Sequence, residues 1–136
     1  MELYTGGFAQ GKLMYVTKQA GRQDLPVIDG AKESLFEKKW EDGQRVIMNH
    51  LHLWVRRQLA EKKDPAKELF LFLESHPDTI LICDEIGCGI VPVEKEERLY
   101  REYVGRLVIQ LAEKAERVER IVCGLGICLK NTEQSN

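Results

Sequence analysis

Apolar residues in this chain fall into short continuous runs that alternate with stretches of helical period. Glu2-Leu3-Tyr4 reads as a short strand feeding a glycine-rich turn, and Lys12 to Ala20 as a helix closed by Gly21. Leu25 to Gly30 reads as a second short strand. Asp29 stands at its C-terminal end, the edge where open α/β sheets place ligands. Residues 31–43 are charged and fit a short helix or a mobile loop. Gln44 to Lys62 carries Val46, Ile47, Leu51, Trp54, Val55 and Leu59 at helical spacing, which predicts one helix. Asp64-Pro65 marks the start of another, as N-cap and first helical residue, and His76-Pro77-Asp78 ends it. Thr79 to Asp84 is nearly all apolar, the pattern of a central parallel strand buried on both faces. Gly87, Gly89 and Pro92 then shape a loop. Glu94 to Arg117 predicts a long amphipathic helix with Leu99, Tyr103, Leu107, Leu111 and Ala115 on one stripe. Val118 to Gly124 is the last strand, with Ile127 to Lys130 pairing back as a hairpin. The alternation predicts a single α/β domain over 1–130, a mostly parallel sheet flanked by helices, and a polar tail at 131–136.

Composition narrows the class. With 43% hydrophobic and 31% charged residues, the 136-residue chain has the make-up of a soluble globular protein. A formal net charge of −2 with both signs mixed argues against a nucleic-acid surface. No apolar run approaches the roughly 20 residues that span a bilayer, so no membrane is expected. The glycine turn begins by residue 6, which leaves no room for a signal peptide, and the expected location is the cytoplasm. Cys83, Cys88, Cys123 and Cys128 form no C-x-x-C pair. They read as small buried hydrophobes on or beside strands, not as a zinc site.

The chemistry concentrates in the first turn. Gly6-Gly7-Phe8-Ala9-Gln10-Gly11-Lys12-Leu13, preceded by Thr5, fits the phosphate-loop pattern G-x-x-x-x-G-K-[ST] at every fixed position but the last. The glycines let backbone N–H groups turn inward onto phosphate oxygens, and Lys12 reaches the transferring phosphates. Leu13 stands where a Ser or Thr hydroxyl normally binds Mg²⁺. Asp84 and Glu85, just past the apolar strand, are candidates for holding that ion and for catalysis. Arg98 and Arg101 lie one turn apart at the start of the long helix, able to face an anionic ligand or a neighbouring subunit, or to pair with nearby glutamates. His50 and His52 would point to opposite sides of a helix and are not a metal pair. Trp40 and Trp54 read as core or interface residues.

Glu85-Ile86-Gly87-Cys88-Gly89-Ile90-Val91-Pro92 resembles the N-E-V-G-x-G-I-V-P signature of the adenosylcobinamide kinase / adenosylcobinamide-phosphate guanylyltransferase family. The similarity continues through Arg98, Arg101, Gly105, Arg106, Gln110, Leu111, Ala112, Val118 and Gly124. Thr5-Gly6-Gly7, Gly11 and Lys12 match the family's opening T-G-G-x-x-S-G-K-S. The resemblance implies a P-loop NTPase-like α/β fold acting late in cobalamin assembly. It implies ATP or GTP as nucleotide, phosphorylation of the aminopropanol arm of adenosylcobinamide, guanylyl transfer through a histidine, and a homotrimer. The departures fall around one nucleotide site. Gln10 and Leu13 replace two serines, Asp84 replaces an Asn, and Val108 stands at another Asn position. No histidine occurs in 30–43, where the guanylyl acceptor is expected; the first candidate is His50. Phosphoryl transfer is therefore the better-supported half of the chemistry. A non-catalytic nucleotide- or corrinoid-binding protein, or one serving assembly alone, are the rival expectations.

Overall fold

A computed structural model of the chain describes residues 1–34, 39–86 and 94–132. Cys88, the Gly87–Pro92 loop and most of the polar tail lie outside the described residues. Among the described residues the elements run β1 (Glu2–Gly6), α1 (Lys12–Thr17), β2 (Val27–Asp29), β3 (Ile47–Asn49), α2 (Leu51–Ala60), α3 (Pro65–Ser75), β4 (Ile80–Asp84), α4 (Lys95–Lys114), β5 (Arg117–Val122) and β6 (Leu125–Asn131). They build one six-stranded sheet of order β2-β3-β4-β1-β5-β6. β2 to β5 and β1 run parallel, and β6 returns antiparallel to β5. The fold is α/β, a mostly parallel sheet flanked by helices.

Strand alternation sorts the apolar residues between two faces. Leu3, Ile28, Met48, Leu81, Cys83 and Val118 turn toward one face and pack with α2, α3 and α4 through Trp54, Leu69, Phe72, Leu107 and Leu111. Tyr4, Ile47, Ile80, Ile82 and Ile121 turn to the other and meet Val16 of α1. Burial on both faces is why Ile80 to Cys83 read as an unbroken apolar run. The α3 start is as the sequence predicts: the Asp64 side chain accepts from Lys67 N–H, and Pro65 is the first helical residue. The β5–β6 hairpin turns through Cys123 and Gly124, both at positive φ (51° and 74°), the demand of a two-residue hairpin turn. No helix among the described residues is long and apolar enough to cross a membrane.

Several expectations need correction. The single helix over 44–62 is instead a strand and a helix. Val46, Ile47 and Met48 are fully buried between β2 and β4, and His50 takes a left-handed conformation (φ 56°) that breaks any helix there. The apolar spacing of 46–59 suits a helix, but pairing on both sides favours a strand that begins at the β-branched Ile47. α1 ends at Thr17, short of Ala20, and Gly21 (φ 80°) serves the turn that follows. In α4 the inward stripe is Tyr100, Val104, Leu107 and Leu111, and Leu99 is 53% exposed. Steps of four residues over-rotate by about 40° each, so a stripe drawn back from Leu107 drifts to the surface by Leu99. Of the cysteines, Cys83 is buried as expected, but Cys123 and Cys128 are exposed on the hairpin.

The lower end of β1 is fastened by charge. The Glu2 carboxylate accepts from Tyr4 Oη at 2.7 Å, from Arg22 Nη2 at 2.7 Å to each oxygen, and from Arg45. Burial pushes the Glu2 pKa up. The hydrogen bonds from Tyr4 and Arg22 and the charges of Arg22 and Arg45 outweigh it and hold the group below its usual 4.5. A carboxylate depressed by folding stabilises the protein above its unfolded pKa and loses that contribution as pH falls through the folded value. Glu2→Gln is therefore expected to cost about 3 kcal/mol at pH 7. Its unfolding free energy, measured in urea, should fall less between pH 7 and pH 3 than that of the parent.

Candidate functional site

The parallel strands β2, β3, β4, β1 and β5 end side by side, at Asp29, Asn49, Asp84, Gly6 and Val122. The residues of interest leave the sheet at this common edge. β1 and β4 run in register, with Gly6 opposite Asp84. The chain after Gly6 turns through Gly7–Gly11 and re-enters as α1, whose first residue is Lys12. Gly6 is required by proximity, because a Cβ there would sit 2.5 Å from Ile121 O. Gly11 is required by conformation, at φ 80° in the left-handed region.

Gln10, which stands where the resembling family has a serine, ties this loop to the β5–β6 turn. Its side-chain oxygen accepts from Cys123 N–H at 2.7 Å and its carbonyl from Gly124 N–H at 3.0 Å. Phe8 at the loop's tip is 86% exposed, whereas Thr5 is buried at the base. Leu13 turns away from the edge and packs against the cluster around Tyr4 and Val16.

The Lys12 side chain returns beneath its own loop. Nζ donates to Gly7 O at 2.7 Å and pairs with Asp84 Oδ1 at 2.7 Å; Lys12 is 8% exposed and the Asp84 side chain 17%. Asp84 has a second neighbour. His52, on the first turn of α2, accepts the Asp84 backbone N–H on Nδ1 at 3.2 Å and faces Oδ2 with Nε2 at 3.4 Å. Burial, helped by the charges of Lys12 and Arg56 and by that of His50 whenever its ring is protonated, outweighs the attraction of Asp84 and lowers the His52 pKa below 6.5. With Nδ1 accepting the Asp84 N–H, the ring proton belongs on Nε2, the nitrogen that faces the Asp84 carboxylate. Glu85 faces elsewhere: its carboxylate is gripped by Arg120 at 2.6 and 3.1 Å, and its N–H bonds Gly6 O. The two adjacent acids therefore serve different partners.

Next along the edge, His50 Nδ1 meets Asp29 Oδ1 at 2.8 Å. That bond, opposed by partial burial and aided by Ala31 N–H, holds the Asp29 carboxyl below its usual 3.8. His50 precedes α2 instead of lying inside it, so the two histidines do not point to opposite sides. Their rings stand edge to face, centroids 6.0 Å apart. Reading 44–62 as one helix hid this pairing; the available signal was a histidine directly after an apolar run bounded by charged residues. Arg98 and Arg101 occupy the first two turns of α4, beyond 87–93, and take no part in the contacts just described. Trp54 is fully buried, as expected, and Trp40 packs against the same core.

Known proteins are similar to this chain over part of its length. The family described as cobinamide kinase / cobinamide phosphate guanyltransferase matches residues 27–129, from β2 to within β6. The phosphate-loop candidate precedes the matched segment. A bifunctional adenosylcobalamin biosynthesis protein of Escherichia coli (strain K12) is 39% identical over 51 residues, 38% of this chain and 28% of that protein. Its counterpart in Salmonella typhimurium is 37% identical over 51 residues, with the same shares. Another, from Pseudomonas aeruginosa, is 32% identical over 96 residues, 66% of this chain and 56% of that protein. The matches thus span from 28% to 56% of these relatives' lengths. With three-quarters of its length inside the family match, the chain belongs to the cobinamide kinase / cobinamide phosphate guanyltransferase family.

Proposed function

We propose that the chain binds ATP or GTP through Thr5–Leu13 and transfers the terminal phosphoryl group to the aminopropanol hydroxyl of adenosylcobinamide, within cobalamin biosynthesis. The observation that carries this reading is the Lys12 ammonium, held under a glycine-rich turn at the sheet's C-terminal edge. A triphosphate entering the turn exchanges Asp84 for phosphate oxygens as the partner of Nζ. Transfer then depends on positioning and on charge stabilisation at the transferring group, which Lys12 supplies as a fixed cation.

Mg²⁺ on nucleotides is commonly held by one or two carboxylates together with phosphate oxygens and waters. Asp84, at the mouth of the turn, fits the carboxylate role. Leu13 supplies no oxygen, so nucleotide and water would complete the shell. When bound, the ion would neutralise charge on the phosphates. Glu85, fastened to Arg120, positions the end of β4 and the turn through its bond to Gly6. Arg98 and Arg101 would meet the anionic substrate or a neighbouring copy, in a homo-oligomer that the family resemblance makes a trimer.

Leu13 favours a second reading, a non-catalytic protein that binds nucleotide or corrinoid. Titration of ATP and GTP with and without Mg²⁺, followed by phosphate transfer to cobinamide, separates the two; binding without turnover supports the second. Lys12→Ala is expected to weaken nucleotide binding at least tenfold, about 1.4 kcal/mol. An unchanged affinity would remove the first reading and leave only corrinoid binding of the second. Leu13→Ser restores a hydroxyl at the metal position. It should make nucleotide affinity more Mg²⁺-dependent by about tenfold, while costing about 1–2 kcal/mol of stability through lost packing. The affinities come from calorimetric titration and the stability from thermal unfolding.

A further inference from the structure

We infer that His50, oriented by Asp29, is the general base that accepts the proton of the substrate hydroxyl during phosphoryl transfer. The inference rests on the phosphotransfer reading above and adds a residue to it.

The geometry is that of an oriented imidazole. Asp29 ends β2 and His50 follows β3, and these neighbouring parallel strands pair in register with Asp29 opposite Asn49. The junction is tight. Gly30 N–H donates to Asn49 O at 2.8 Å, and a Cβ on Gly30 would lie 2.5 Å from His50 O. Asp29 is also fixed from its own side, since Oδ1 accepts Ala31 N–H at 3.0 Å. The carboxylate is thus held toward the ring by a second hydrogen bond. It accepts Nδ1–H at 2.8 Å, which leaves the lone pair on Nε2, directed away from Asp29. The His50 side chain is 40% exposed, so part of the ring is open to solvent.

The backbone at His50 adds an independent mark. At φ 56° it lies in the left-handed region, which glycine occupies without strain and side chains occupy at a cost. Its side chain does not cap α2. The position thus holds a strained residue whose ring bonds a carboxylate on a neighbouring strand and otherwise faces the edge.

The placement suits the reaction. From Asp29 the edge reads His50, His52, Asp84 and Lys12, with ring centroids 6.0 Å apart, then 3.4 Å from His52 Nε2 to Asp84, then 2.7 Å from Asp84 to Nζ. Phosphate is held at the lysine end, and the hydroxyl approaches from the histidine end. His52 cannot take the role, because its Nδ1 accepts Asp84 N–H and its Nε2 is occupied with the Asp84 carboxylate. The groups facing His50 are Asp29 from β2, with Lys32 beyond it, and His52 from α2, with Asp84 of β4 behind. In the step, the hydroxyl proton passes to Nε2 and the oxygen forms a bond to the terminal phosphorus. The bond from that phosphorus to the bridging oxygen breaks, and the nucleoside diphosphate leaves with the electron pair. The new N–H is stabilised by the Asp29 charge across the ring.

The test uses the full chain, ATP or GTP with Mg²⁺, and adenosylcobinamide. His50→Ala is expected to lower kcat about 10²- to 10⁴-fold, with the nucleotide Kd within twofold of the parent. Added imidazole should restore at least tenfold of the lost rate. Asp29→Asn keeps the shape and should lower kcat at unchanged Kd. A His50→Ala kcat within threefold of the parent overturns the assignment while leaving the phosphotransfer reading standing. Loss of nucleotide binding along with the rate also overturns it, making His50 part of the site's frame. So does a nucleotide adduct on His50 detected by mass spectrometry, since Nε2 would then be the nucleophile. A parent that binds nucleotide and transfers no phosphate overturns the phosphotransfer reading and this assignment together.

Discussion

The pairing of β1 with β4 is the constraint on which the rest of the molecule depends. Five residues of each strand align in parallel register, ending with Gly6 against Asp84. That one alignment places an acidic side chain at the foot of the turn that Gly6 begins, and it lets Lys12, six residues on, reach back to the carboxylate. A register shift by one residue would turn Asp84 to the opposite face of the sheet and leave the buried Lys12 ammonium without its counter-charge. β5 closes on the other side of β1 so tightly that residue 6 cannot carry a Cβ. The central strand, its glycine and the site are thus products of the same close packing.

Charge is buried at both ends of β1, in two different ways. At the N-terminal end, Glu2 is surrounded by Tyr4, Arg22 and Arg45, and the carboxylate's partners all come from the protein. That cluster is closed and fastens the loop before β2 and the start of β3 to the sheet. At the C-terminal end, Lys12 has, among the described residues, one charged partner and one carbonyl. An ammonium with three donors and a single carboxylate can exchange that carboxylate for phosphate oxygens at little net loss. The sheet is thus anchored where its charges are saturated, and its opposite end carries an ion pair that can be exchanged.

Much of the architecture was legible because local chemistry and tertiary demand agree. The glycine turn, the capped start of α3, the doubly buried β4 and the hairpin after β5 each combine a local signal with the environment it needs. β3 was not legible, because three residues carry too little periodicity to outweigh the helical spacing that continues into α2. Its existence is decided by β2 and β4, which pair with it on both sides. The inward stripe of α4 was misplaced by a small drift in period. The exposure of Cys123 and Cys128 follows from their place on an edge hairpin, which composition alone does not reveal.

By itself, the amino-acid order determined the class of fold, the glycine turn with its lysine, the acid after β4, and the kinship carried by Glu85–Pro92. These are properties of residues near one another in sequence, where conformation and spacing are read directly. Tertiary structure decided which distant groups meet: Lys12 with Asp84, His52 with the same acid, and Asp29 with His50. Those contacts join segments from 21 to 72 residues apart, brought together by strand order and register. Strand order reflects the burial of two sheet faces at once, a condition that only the folded chain as a whole can satisfy.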